Sequence, residues 1–202
     1  MVIRLLLADD ENMFRDALAM LLGLQDDFEV VAQAASGAEA LAMGRAHQVD
    51  VAVLDLQMPG IDGIAVAEQL LASNPELGCL IVTSHGRPGY LKKALQCGVR
   101  GFVPKTSSAT VLAEAIRTVH GGSRYVDPEL AADAIAAGAN PLSPREADVL
   151  ELAGAGAPVE EIAARAHLSP GTVRNYLSAA VAKTGAANRH EAVHLARAQG
   201  WI

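Results

Sequence analysis

The chain opens with Val2-Ile3-Arg4-Leu5-Leu6-Leu7-Ala8, an almost continuous apolar run that stops abruptly at Asp9-Asp10. Unbroken apolar runs of this length suit parallel strands buried on both faces. A helical pattern follows from about Met13 to Gly23, and Phe28-Glu29-Val30-Val31-Ala32-Gln33-Ala34 reads as a second strand. Ser36, with Glu39 three residues on, opens a second helix as a capping box. Val51-Ala52-Val53-Leu54 is a third strand running into Asp55, and Leu80-Ile81-Val82 a fourth ending at Thr83-Ser84. Pro88 suits the first turn of a helix that stops at Gly98. Gly101-Phe102-Val103 is a fifth strand ending at Pro104-Lys105, and a last helix runs from about Ser108 to His120.

Five strands alternating with five helices predict right-handed crossovers and a doubly wound, five-stranded parallel sheet in the order 2-1-3-4-5. Ligands of such sheets bind beyond the carboxyl ends of the strands. Asp9, Asp10, Asp55, Thr83 and Lys105 all fall at such ends. After Gly121-Gly122-Ser123 the alternation breaks, and residues 121–141 read as a linker with one short helix started by Asp127-Pro128. From Leu142 the pattern is wholly helical. Ser143-Pro144-Arg145-Glu146 is a capping box, and Gly154-Ala155-Gly156 ends that helix. A short amphipathic helix from Pro158 to Ala166, a tight turn at His167-Leu168-Ser169 and a longer helix from Pro170 to Gly185 predict a helix-turn-helix. Asn188 caps a fourth helix that reaches about Gln199.

Composition narrows the classes. Of 202 residues, 51% are apolar and 19% charged, which permits a packed core and argues against disorder. No apolar run reaches the length of a membrane span. The first residues lack the features of a secretion signal, so a cytoplasmic protein is expected. Cys79 and Cys97 lack metal or redox spacing. The net charge of −7 opposes whole-surface nucleic-acid binding. Residues 168–202, however, hold Arg174, Lys183, Arg189 and Arg197 against Glu191 alone, which makes them the one plausible polyanion face.

Three carboxylates at neighbouring strand ends repel one another unless a hard cation neutralises them, and Mg²⁺ takes a few carboxylates, a carbonyl and waters. A carboxylate can also attack a phosphoryl donor, given positive charge around the equatorial oxygens. Mg²⁺ and Lys105 supply that charge in this reading, and the Thr83 hydroxyl hydrogen-bonds the phosphoryl group. The pieces Leu7-Ala8-Asp9-Asp10, Asp55-Leu56-Gln57-Met58-Pro59-Gly60-Ile61-Asp62-Gly63, Val82-Thr83-Ser84 and Pro104-Lys105 resemble, in order and spacing, those of receiver domains over residues 1–120. The resemblance implies that Asp55 accepts a phosphoryl group from a sensor histidine kinase. It further implies that Asp10 binds Mg²⁺ directly with help from Asp9, that Asp55 and the Gln57 carbonyl complete the protein ligands, and that Thr83 and Lys105 contact the phosphoryl group. Two details depart from the usual pattern. Phe102 stands at the switch aromatic on strand five without a hydroxyl. Pro104 cannot donate to a ladder, so strand five is expected at the sheet edge.

Leu142-Ser143-Pro144-Arg145-Glu146-Ala147-Asp148-Val149-Leu150, Glu161-Ile162-Ala163-Ala164-Arg165, Leu168-Ser169-Pro170-Gly171-Thr172-Val173-Arg174-Asn175-Tyr176 and Asn188-Arg189-His190-Glu191-Ala192-Val193 resemble the LuxR-type helix-turn-helix over about residues 140–200. With the receiver in front, the chain resembles the NarL/FixJ class of response regulators. On the third helix of this unit Val173, Leu177, Ala180 and Val181 fall on one face, and Arg174, Asn175 and Ser178 on another. That second face suits base edges, while Thr172 and Lys183 suit phosphates. Tyr176 is open between core packing and an outward role, and His167, His190 and His194 lack metal spacing with the cysteines.

The expected function is phosphorylation-controlled transcription. One helix-turn-helix buries little surface, so a homodimer on a pseudo-palindromic double-stranded site is expected once Asp55 is phosphorylated. The first and last receiver helices offer one face for it, and the fourth helix with the fifth strand another. An aspartate-nucleophile phosphatase is disfavoured because Gln57 stands where those enzymes carry a second acid. A receiver serving only for dimerisation is disfavoured by the intact Asp10, Asp55, Thr83 and Lys105 set. Gly86-Arg87-Pro88-Gly89-Tyr90 and Val126-Asp127-Pro128-Glu129-Leu130 resemble regulators of the thermosensing, desaturase-control type.

Overall fold

A computed structural model describes residues 2–84, 88–138 and 140–202. Gly86 and Arg87, part of one stretch singled out above, lie outside the described residues. Two compact units divide the chain, the first holding the N-terminal residues and Leu91–Ala131, the second Ala132–Ile202 with the short stretch Pro88–Tyr90. No described helix is long and apolar enough to cross a membrane.

The first unit is built on β1 (Ile3–Ala8), β2 (Phe28–Ala34), β3 (Val51–Asp55), β4 (Gly78–Thr83), β5 (Gly101–Pro104) and β6 (Tyr125–Val126). Its helices are α1 (Asn12–Leu22), α2 (Gly37–Ala46), α3 (Gly63–Ser73), α4 (Pro88–Gln96) and α5 (Ala109–His120), and α6 (Pro128–Ala136) follows β6. All strand pairs are parallel, in the order β2-β1-β3-β4-β5-β6. β3 and β4 are buried at every residue, which is why their sequences carry no polar alternation. One sheet face packs Leu5, Leu7, Val53, Leu80 and Val82 against Leu18 and Leu22 of α1 and Leu112, Ile116 and Val119 of α5. The side chains of Ser36, Asp62 and Ser108 cap α2, α3 and α5 by accepting the amides of Glu39, Ala65 and Val111.

The sheet differs from the expected one by a sixth strand. β6 pairs with β5 at Gly101↔Tyr125 and Phe102↔Val126, so β5 is not the edge and the segment read as a linker carries a strand as well as a helix. Tyr125-Val126 is too short to show a period, which hid it in the sequence. The proline argument survives in a narrower form. The β6 ladder closes with Asp127 donating to the Phe102 carbonyl, short of Pro104, so nothing on that side asks Pro104 for a donor.

The second unit contains α7 (Pro144–Gly154), α8 (Val159–Ala166), α9 (Pro170–Thr184) and α10 (Arg189–Gln199). Their apolar stripes meet in a core of Val149, Leu150, Ile162, Val173, Leu177 and Ala196, with Trp201 packed against it. His167 ends α8 in the left-handed region at φ 55°, a conformation uncommon for a residue other than glycine. It turns the chain sharply into Ser169, whose side chain caps α9.

One polar network ties α7 to α9. Glu146 completes the capping box by accepting the Ser143 amide at 2.7 Å, and it also holds the Lys183 ammonium at 2.7 and 2.9 Å. The Lys183 side chain and the cap amide hold the Glu146 carboxyl below the usual glutamate range. Its contribution is therefore present above the ordinary glutamate value and lost as the pH falls through the depressed one. Glu146→Ala removes a cap and an ion pair together and is expected to cost about 1–2 kcal/mol. Trp201 is the only tryptophan, so its fluorescence during urea denaturation of the full chain reads this unit. The substitution should lower the midpoint, and the deficit should shrink on acidification.

Candidate functional site

The carboxyl ends of β1, β3 and β5 deliver the site. Asp9 follows β1, Asp55 is the last residue of β3, and Lys105 follows β5. Asp9, Asp10 and Asp55 can each place one carboxylate oxygen within 4.8 Å of the others. Asp9 and Asp55 are buried, Asp10 is exposed, and Thr83 at the end of β4 is buried. Gln57 is exposed on the loop after β3 and donates its backbone N–H to the Asp55 carboxylate. The six residues expected at this site therefore lie on adjacent strand ends and the loop that follows β3.

Lys105 is the electrostatic centre of the group. Its ammonium lies 2.8 Å from Asp9, 3.3 Å from Asp55 and 2.7 Å from Glu11, and its side chain is 8% exposed. Burial alone would lower the Lys105 ammonium. Hydrogen bonds to Asp9 and Glu11, with the Asp55 charge nearby, outweigh burial and hold it above the usual lysine value. Burial, and then the Asp9 charge, pushes the Asp55 carboxyl up, while Lys105 and the Gln57 amide pull against them. The Phe14 ring lies 4.7 Å from the Lys105 ammonium and adds a cation–π contact.

Sequence reasoning missed three contributors. Glu11 and Phe14 reach Lys105 from α1, across more than ninety positions of chain, and only the strand order brings them together. Gly63 stood only as the last residue of a motif, but a Cβ there would collide with the Asp55 carbonyl oxygen, so the glycine lets α3 start against the end of β3. Asp62 has a local role, capping α3: its carboxylate accepts the Ala65 amide at 2.7 Å. Phe102 is fully buried, with Ile81 of β4 beside it in register.

In the second unit α9 sorts its residues as its periodicity requires. Val173, Leu177 and Ala180 are buried, and Val181 and Tyr176 pack partly buried against the core. Arg174, Asn175 and Ser178 are exposed along the opposite stripe. Thr172 sits in the first turn with its hydroxyl 2.8 Å from that of Ser169. The Arg174 guanidinium lies 3.4 Å from Glu160 of α8, an exposed pair of little energetic weight. Lys183, expected to meet a phosphate, is paired with Glu146, which holds its ammonium.

A buried acidic pair with a lysine at the strand ends of a parallel α/β unit, followed by a helix-turn-helix unit, defines a two-part regulator. The family of response regulator receiver domains matches residues 5–117, and the luxR family of bacterial regulatory proteins matches residues 140–196. The chain belongs to the response regulators that join these two modules, in the NarL/FixJ class, and is a transcription regulator in a two-component system, not a phosphatase. It is 40% identical to the transcriptional regulatory protein DesR of Bacillus subtilis (strain 168), with all of both chains covered. The crystal structure of the response regulator ChrA of a heme-sensing two-component system matches with a TM-score of 0.59 at 31% identity, covering 100% of this chain and 99% of that one. RcsB dimers bound to DNA match with a TM-score of 0.72 at 23% identity over 98% of this chain and 99% of theirs, a likeness of fold alone.

Proposed function

We propose that Asp55 takes a phosphoryl group from a sensor histidine kinase and that its modification controls dimerisation and DNA binding. The observation that carries this reading is the convergence of Asp9, Asp10 and Lys105 on the buried Asp55 carboxylate. The receiver is assigned to residues 1–120, the connecting segment to 121–141 and the DNA-binding domain to 142–202. A cytoplasmic location fits a protein that must meet both a kinase and the chromosome.

The donor set fits Mg²⁺, since three carboxylates and a backbone carbonyl are hard oxygen ligands. Asp10 and Asp55 would hold the ion, with Asp9 in support and the Gln57 carbonyl as a further ligand. When bound, the ion supplies positive charge for the equatorial phosphoryl oxygens. The protein's own part is to present the Asp55 carboxylate as nucleophile, to bring Lys105 to a phosphoryl oxygen and to offer the Thr83 hydroxyl to another. As Thr83 turns toward the phosphoryl group, the β4–β5 region repacks around Phe102. Intact-mass measurement after incubation with acetyl phosphate and Mg²⁺ should show one added phosphoryl group, and Asp55→Asn should show none. A full adduct on Asp55→Asn would remove Asp55 from this role.

Arg174, Asn175 and Ser178 are assigned to base edges, and Thr172 to a phosphate at the N-terminus of α9. Lys183 is assigned first to Glu146, and any phosphate contact it makes is shared with that carboxylate. Met13, Met20 and Leu21 on α1 and Leu24 just beyond it expose large apolar side chains, which favours the α1–α5 side for the dimer over the α4–β5 side. The 40% identity to DesR over all of both chains supports the resemblance to regulators of the thermosensing type. On a specific pseudo-palindromic duplex, Arg174→Ala should cost about 1–3 kcal/mol and relax base preference at its position. Fluorescence-anisotropy titrations against single-base variants read both effects. Unchanged affinity and unchanged preference would mean that another face of α9 meets the bases.

A further inference from the structure

The Lys105 ammonium has three N–H donors, and the resting protein uses all of them. Asp9, Glu11 and Asp55 each take one, at 2.8, 2.7 and 3.3 Å. A phosphoryl oxygen can reach Lys105 only by displacing one of these acceptors. Asp9 is a poor candidate to leave. It is buried, and its other oxygen accepts the Glu11 amide at 2.9 Å. Asp55 is itself the group that carries the phosphoryl moiety. Glu11 is different, because its side chain is 63% exposed and its carboxylate can return to water with little desolvation to repay.

The backbone position of Glu11 sharpens the point. Glu11 is the N-cap residue of α1, yet its side chain makes no cap hydrogen bond to the helix. The carboxylate is committed to Lys105 instead. The same helix sends Phe14 over that ammonium, so α1 grips Lys105 twice.

We infer that Glu11 is a positioning residue of the phosphorylation site: in the resting receiver its carboxylate occupies the place on Lys105 that a phosphoryl oxygen takes, and it must be displaced for the modified state to form. Glu11 thereby opposes occupancy of the site and sets how much free energy of Lys105 binding reaches the phosphoryl group. The inference rests on the receiver-site reading above.

The test is an equilibrium one, with beryllium trifluoride as the phosphoryl mimic. Full-length protein is titrated calorimetrically at low ionic strength in saturating Mg²⁺. Glu11→Gln and Glu11→Ala should each bind the mimic about three- to fivefold more tightly than the parent, the range expected for loss of one partly exposed competing ion pair. Asp16→Asn, which neutralises an exposed α1 acid outside the Lys105 cluster, should leave the affinity unchanged. Equal or weaker binding by both Glu11 variants overturns the inference. An equal gain in Asp16→Asn also overturns it, because the effect would then belong to net charge. Failure of the parent to bind the mimic at all would instead remove the receiver-site reading and the inference with it.

Discussion

The receiver unit depends on one electrostatic arrangement, a single buried ammonium facing carboxylates gathered at parallel strand ends. Parallel topology sends β1, β3 and β5 in the same direction, so Asp9, Asp55 and Lys105 arrive on one side of the sheet. Without Lys105 the buried Asp9 and Asp55 carboxylates would stand together uncompensated, a costly state. With it, the cluster keeps a net negative charge that a divalent cation can complete. Site chemistry and sheet order are therefore one constraint. Gly63 supports it by letting α3 start directly against the Asp55 carbonyl, and the short β6 extends the sheet beyond β5 without asking Pro104 for a donor.

The helical unit solves a different problem. It must hold a polar stripe rigidly outward while burying little surface. The core formed by Val149, Leu150, Ile162, Val173 and Leu177 fixes the rotation of α9 about its axis, and that rotation presents Arg174, Asn175 and Ser178 together. Glu146 adds a polar tie at the far end of α9, where it joins the start of α7 to Lys183. The ammonium that the sequence offered to a phosphate thus stabilises the frame on which the exposed stripe is carried.

Much of this was legible in the sequence because it is local or periodic. The five longer strands announce themselves by largely apolar runs, the helices by caps at Ser36, Ser143 and Asn188, and α9 by its spacing of apolar positions. The acids and Lys105 were legible because strand ends in a parallel sheet must converge. The remainder depends on distant contacts. Glu11 and Phe14 meet Lys105, and Lys183 meets Glu146, only after the chain has folded. β6 has two residues and no period, and the need for glycine at position 63 lies in the proximity of a carbonyl from another element.

On the proposed function, the state of Asp55 decides whether the chain acts as one copy or two. Sedimentation velocity of the full-length protein, with and without Mg²⁺ and beryllium trifluoride, measures this directly at concentrations where DNA binding is cooperative. The account predicts a monomer that becomes a dimer on adding the mimic, and an Asp55→Asn protein that stays monomeric throughout. A parent protein that stays monomeric in both conditions while its DNA affinity rises would contradict it.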